Sequence, residues 1–293
     1  MRRFIRDGAA TAVCLCLAST WVCAAGPDGG DRQPELEIRV VFDNTSARED
    51  LRRSWGFSAV VDFGGHRVLF DAGSDPILLL EHLEKMQIDP KTIEHAVISH
   101  QHGDHLRGVY WVFEKNPKMK VHFLDCFPKE AFRRAAAVKM KPHRVTEPFE
   151  VVPGVYSTGI VEGKPPEQSL VIETSQGLVM LVGCSHPGVV KLVETAQMQR
   201  KKESIRLLLG GFHMLRKRPD QIKKAISRLQ DLKVLTVMPA HCSGDLAKEM
   251  FPILYGEQFH TAGAGRRIVL DKGKVVISTL KAEKESRDEL GNS

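Results

Sequence analysis

Apolar and polar positions alternate through LEIRVVFDN, residues 36–44, and β-branched side chains are frequent, which predicts a first strand. SAVVDFGGHRVLFDAG predicts two further strands joined at Gly64 and Gly65. The spacing then changes. DPILLLEHLEKM has helical periodicity, with Asp75 as N-cap before Pro76. EHAVIS is a short buried strand, HLRGVYWVFEKN a helix and KVHFLD a strand. QSLVIETSQGLVMLVG predicts a hairpin turning near Gln176 and Gly177, and PGVVKLVETAQMQRKK a helix with Pro187 near its first turn. SIRLLLGG, PDQIKKAISRLQDL and KVLTVMPA follow as strand, helix and strand, and GRRIVLDKGKVVIST closes the chain with two strands. Meanders followed by alternating strands and helices imply an α/β fold, two sheets with helices packed outside.

One domain over residues 36–280 accounts for this pattern, and the 293-residue length allows it. Residues 1–25 differ: basic MRRFIRDG precedes an uncharged apolar stretch ending in small residues, then Gly and Pro. That is the layout of a secretory signal peptide cleaved after Ala25, placing the mature protein in the periplasm or outside the cell. The alternative is an uncleaved segment anchoring the chain to a membrane. Residues 281–293 form a polar tail.

The formal charge is +6, of which the leader's Arg2, Arg3, Arg6 and Asp7 contribute +2, leaving about +4. No basic stripe interleaves with aromatics, so nucleic acid is excluded as the expected partner and a small molecule takes its place, with an anionic substrate left open. Beyond the leader only Cys126, Cys184 and Cys242 remain, an odd number that excludes a full disulfide framework.

Four expected strand ends carry histidine: ISHQHGDH, VGCSHPG, LGGFHM and MPAHCSG. Carboxyl ends of strands are where layered α/β folds gather their sites. His100 and His102 in an extended segment point the same way and can reach one divalent ion. Gly103 lets the loop fold back, so Asp104 and His105 can address a second ion. Two ions about 3.5–4 Å apart can deprotonate a water between them and polarise the bond it attacks.

HQHGDH resembles the H-x-H-x-D-H signature of the metallo-β-lactamase-fold superfamily. VLFDAG, LVGCSH and MPAHC resemble its other motifs, so the likeness runs over most of the chain. GCSHPG, LLGGFHM and MPAHCSG resemble one subgroup, the dihydropterin–ribofuranosylaminobenzene phosphate synthase-like proteins. The resemblance implies a four-layer αββα sandwich and two divalent ions, zinc first, with manganese or iron as alternatives. It places His100 and His102 on metal 1, Asp104 and His105 on metal 2, and His241 as the ligand completing metal 2. Cys184 falls where many members have a bridging aspartate, and Asp71 resembles a carboxylate that orients a ligand histidine.

One departure stands out. The superfamily's third histidine for metal 1 is absent from VYSTGIVEGKPPEQSLVI. Either His186 replaces it, held near by a tight turn after Cys184, or metal 1 is under-ligated; Glu162 is a poorer substitute. His213 follows two glycines and can bind an anion, donate a proton or be structural. His66, His82, His95, His122, His143 and His260 carry no motif, and Cys242 is either packing or a partner for Cys184.

The expected function is a metal-dependent hydrolase in which a metal-bound hydroxide attacks an ester, lactone or phosphoester. Asp104 positions the water and moves its proton, and His213 protonates the leaving group. One alternative is the pterin-type condensing transfer of the subgroup's namesake. The other is a non-enzymatic metal or ligand-binding protein with an incomplete first site. The wording of the late motifs speaks against β-lactam hydrolysis.

Overall fold

The computed structural model describes residues 34–271 and 273–282. The expected leader and the tail from 283 lie outside the described residues. Among the described residues, no helix is long and apolar enough to cross a membrane.

The chain opens with strands β1 (Leu36–Phe42), β2 (Ser58–Phe63) and β3 (His66–Phe70), and the β2–β3 hairpin turns at Gly64 and Gly65 as its spacing requires. Helix α1 (Pro76–Lys85) follows, where the Asp75 carboxylate accepts hydrogen bonds from the amides of Ile77 and Leu78. Strand β4 (His95–Val97) leads to the one-turn helix α2 (Gly103–Leu106) and to α3 (Val109–Lys115). Strand β5 (Lys120–Leu124), helix α4 (Lys129–Ala137) and strand β6 (His143–Val145) complete the first half.

The second half runs through β7 (Phe149–Val152), β8 (Val155–Ser157), β9 (Leu170–Thr174) and β10 (Gly177–Val182), then α5 (Val189–Arg200), β11 (Ile205–Gly211) and α6 (Pro219–Asp231). It ends with β12 (Val237–Ala240), α7 (Asp245–Tyr255), β13 (Arg266–Asp271) and β14 (Lys274–Thr279). The first sheet has the order β14-β13-β1-β2-β3-β4-β5-β6 and the second β12-β11-β10-β9-β8-β7. The late pair β13–β14 therefore returns to the first sheet, with Leu36 facing Leu270 in register.

Strand alternation explains the layers. In β2, Ala59 and Val61 point into the core between the sheets while Val60 points out against the helices. In β10, Val179 and Leu181 take the inner face, and Leu178, Met180 and Val182 the outer. Among the described residues three apolar cores result, one between the sheets and one under each helical layer. This is the expected αββα sandwich.

Three expectations shift. The helix expected from His105 begins at Gly103 and breaks before Val109, so Asp104 and His105 lie on a helical turn instead of a loop. Pro187 stands outside α5, whose N-cap is Gly188 at φ 102°. Elements β6 to β8, α4 and α7 go beyond the expected set: the strands have three or four residues each, α4 has nine, and α7 contains Pro252.

On the far edge of the first sheet, His95 and His122 are buried, with His95 Nδ1 2.9 Å from His122 Nε2, and the exposed His143 stacks on His122. Burial holds His95 down to about 4 and His122 to about 3, helped by Lys120 and by the neighbouring histidines. Both therefore stay neutral in the fold, whereas the unfolded chain takes up protons below about pH 6.5. The stability they permit is complete above that pH and is lost as pH falls towards 3. Between pH 7 and 5.5 the loss should be about 2 kcal/mol. Denaturant melts at both pH values, with His95→Leu/His122→Leu as control, would expose the slope; an unchanged slope in the control would refute the assignment.

Candidate metal centre

The parallel strands β3, β4, β10, β11 and β12 all end at one rim between the sheets, and their carboxyl ends deliver the site. After β3, Asp71 is fully buried, with φ 57°. Its Oδ1 accepts the Ser99 amide at 2.7 Å, and its Oδ2 accepts the Ser99 hydroxyl at 2.8 Å and His105 Nδ1 at 2.7 Å. Because the hydroxyl proton goes to Asp71, Ser99 Oγ accepts from His100 Nδ1 at 2.9 Å. One carboxylate thus orients both rings and turns the Nε2 of His100 and of His105 into the site. Gly183 makes this network fit, since a Cβ there would stand 2.1 Å from Ser99 Oγ.

Two donor clusters follow. His100 Nε2 lies 3.1 Å from His102 Nδ1, and the His186 ring centre is 4.7 and 4.8 Å from those two rings. His105 Nε2 lies 3.2 Å from His241 Nε2, and Asp104 Oδ2 stands 3.3 Å from that His241 nitrogen. Asn44 Oδ1 accepts from His241 Nδ1 at 2.9 Å, which turns His241 Nε2 towards His105 and Asp104. Cys184 Sγ is 3.2 Å from His105 Nε2 and groups with both clusters.

Every expected ligand is therefore at the rim, His186 included. Glu162, the weaker substitute, is exposed and belongs to neither cluster. His213 is exposed at φ 52°, its ring 4.4 Å from that of His186.

These residues fit a metal. Ring nitrogens that meet at about 3 Å need a proton or a metal cation between them. The buried His186 Nε2 has no hydrogen-bond partner. Burial, with the neighbouring imidazoles, holds His100 and His102 below the ordinary histidine value and His186 at about 3, so all three offer neutral nitrogen. At His105 burial opposes charge, but Asp71 outweighs it and pushes the group up to about 9. Asp104 lies well below the carboxylate range: burial opposes ionisation, and the His241 hydrogen bond and the charges of His105 and His241 prevail.

Several supporting residues carry no sequence signal of their own. Glu167, fully buried, accepts the amides of Gly183, Cys184 and Ser185 on Oε1 at 3.0 Å and that of His186 on Oε2 at 2.9 Å. Asp43 Oδ1 accepts the His241 amide at 2.8 Å. Trp55, half exposed, donates Nε1–H to Asp104 Oδ2 at 2.8 Å and sets its edge on His241. Only the polar pair closing β1, Asp43 and Asn44, stands at a recognisable strand end.

Residues 56–178 match the metallo-β-lactamase superfamily. The chain has the metallo-β-lactamase fold. A solved metal-dependent hydrolase of the β-lactamase superfamily shares 25% identity with it, at a TM-score of 0.69, covering 81% of this chain and all of that one. The 7,8-dihydropterin-6-methyl-4-(β-D-ribofuranosyl)-aminobenzene-5′-phosphate synthase of Methanocaldococcus jannaschii is 25% identical, over 69% of this chain and 84% of its own. A diphosphatase of the PhnP family shares the fold at 18% identity, TM-score 0.53, covering 84% and 98% of the two chains.

Proposed function

We propose that this metallo-β-lactamase-fold protein is a metal-dependent hydrolase with a two-ion site, acting on an ester, lactone or phosphoester. The observation that carries this reading is the pair of imidazole contacts at 3.1 and 3.2 Å, each bringing two ring nitrogens face to face, with Cys184 shared between them. His100, His102 and His186 would hold one ion; Asp104, His105 and His241 the other; Cys184 would bridge. Two divalent ions, zinc first, would supply a water acidified to about neutral pH and a Lewis acid for the bond under attack.

The chain supplies the rest. Asp104 stays ionised and, steadied by Trp55, accepts the proton of the attacking water. His213 has its pKa raised by its hydrogen bond to Cys242, which suits it to protonate a leaving group. Next to His186 and His213 a cavity of about 330 Å³, walled by Val189, Phe212 and Met214 with Lys217 at its side, gives room for an apolar group bearing an anion. A small-molecule substrate, export with cleavage after Ala25 and the absence of a nucleic-acid partner belong to the same proposal.

The condensing reaction named for the archaeal relative is the second reading, favoured by that likeness alone. His186 beside His100 and His102 removes the main support for a non-enzymatic protein with an incomplete first site.

Metal analysis of untagged protein purified without chelator tests the site. The wild type should carry about two ions per chain, and His100→Ala and His186→Ala should each lose at least one. Hydrolysis of ester, lactone and phosphoester panels should fall by about 10²-fold or more with them. Zero or one ion, unchanged by His186→Ala, would overturn the two-ion reading. Two ions with no hydrolysis, but turnover of a pterin with a phosphorylated ribosyl aromatic, would transfer the proposal to the condensing reaction.

A further inference from the structure

Cys242 takes no part in either imidazole cluster, yet it is buried beside Cys184. Its Sγ lies 3.6 Å from the Cys184 carbonyl oxygen, and the two sulfurs fall within 4.8 Å of each other and of a His213 ring nitrogen. Glycine at 211 permits this meeting. A Cβ there would stand 2.7 Å from Cys242 Sγ, 3.3 Å from Cys184 Cα and 2.5 Å from the Gly183 carbonyl oxygen. Closing the pair into a bond of about 2.05 Å requires the two side chains to turn their sulfurs towards each other.

We propose that Cys184 and Cys242 form an oxidation site at which a hydroperoxide closes a disulfide, withdrawing Cys184 from the metal centre. Its metal consequence rests on the reading of Cys184 as a bridging ligand given above. One cysteine, as thiolate, attacks the peroxide: an S–O bond forms, the O–O bond breaks, and alkoxide or hydroxide leaves. The other thiol then attacks the sulfenic sulfur, the S–S bond forms, and its proton departs with the hydroxyl as water. Two electrons pass from the sulfurs to the peroxide. The Cys184 sulfur cannot serve two partners, so metal ligation and the disulfide exclude one another. His213, exposed and lining the cavity, has a ring nitrogen within 4.8 Å of both sulfurs.

Cys126 is exposed and free, which gives an internal standard for thiol oxidation in the same molecule. The experiment treats protein as purified, chelator-treated protein and chelator-treated protein given zinc back with hydrogen peroxide. Thiols are then alkylated under denaturing conditions and the peptides mapped by mass. The chelator-treated sample should yield a linked Cys184–Cys242 peptide, lighter by two hydrogens than the separate pair and restored by dithiothreitol. Restored zinc should slow its formation by about tenfold or more, since ligand binding favours the unlinked form. Peroxide-treated wild type should rebind less zinc than untreated, and dithiothreitol should restore its uptake, as it would not after oxidation to sulfinic acid.

Recovery of Cys184 and Cys242 as separate alkylated or sulfinic peptides, under peroxide that oxidises Cys126, would overturn the proposal. A linked peptide whose formation ignores zinc would leave the oxidation site standing and remove Cys184 from the ligand set. The mapping needs neither activity nor a folded variant, so its result stands apart from that of the hydrolase assay.

Discussion

Asp71→Asn is expected to strip the metal centre while leaving the fold largely intact, and Asp71→Ala to damage both. The carboxylate receives the Ser99 amide, the Ser99 hydroxyl and His105 Nδ1 in a fully buried position. In the asparagine variant the oxygen can still accept the Ser99 amide. The amide nitrogen then faces the hydroxyl and the imidazole, so His105 must turn its Nδ1 into an acceptor and move its proton to Nε2. That proton points at His241 Nε2, where a ligand lone pair is needed. Metal affinity should fall by about 10–100-fold, the usual cost of losing an outer partner of a ligand histidine.

Alanine leaves three buried donors without an acceptor, which should cost on the order of 3–5 kcal/mol. Elemental analysis and denaturant melts of metal-free protein separate the two effects. The pH dependence adds a second check. Asp71 raises His105 to about 9 in the metal-free chain, so its contribution is complete below pH 6.5 and lost as pH rises through 9. Asp71→Asn should erase that alkaline loss. Full metal content in Asp71→Asn would show that Asp71 does not set the tautomer of His105.

What the sequence made legible follows from how local each signal is. HQHGDH is contiguous, and its candidate ligands announce themselves beside a buried strand. His186 was reachable because a turn after Cys184 has few ways to go; Ser185 at φ 64° makes that turn. The sandwich was readable from strands alternating between two faces, as in β2 and β10. Glu167 and Asn44 were not readable, because their roles are long-range: they meet Cys184, His186 and His241 across 17, 19 and 197 positions. A carboxylate in a polar-looking segment gives no hint of such a contact. The same holds for Trp55, which reads as an exposed aromatic until Asp104 is placed beside it.

Glu167 carries the second large prediction. Burial pushes its carboxyl up to about 7, against four converging amides that favour the ionised form. Those amides belong to the turn that presents Cys184 and His186, so this side chain shapes both donor clusters at once. Glu167→Ala should cost on the order of 3–5 kcal/mol, from amides left buried and unpaired. Glu167→Gln separates positioning from folding. Its oxygen can keep the Gly183, Cys184 and Ser185 amides, but its amide nitrogen then confronts the His186 N–H, donor against donor. The loss there should be about 1–3 kcal/mol, localised at His186. Metal content should drop from about two ions towards one, with the ion at Asp104, His105 and His241 retained. Hydrolysis should fall with it, and the histidine resonances of His105 and His241 should stay near their wild-type positions. If Glu167→Gln binds two ions and melts as the wild type does, the turn is held by the chain itself and not by this carboxylate.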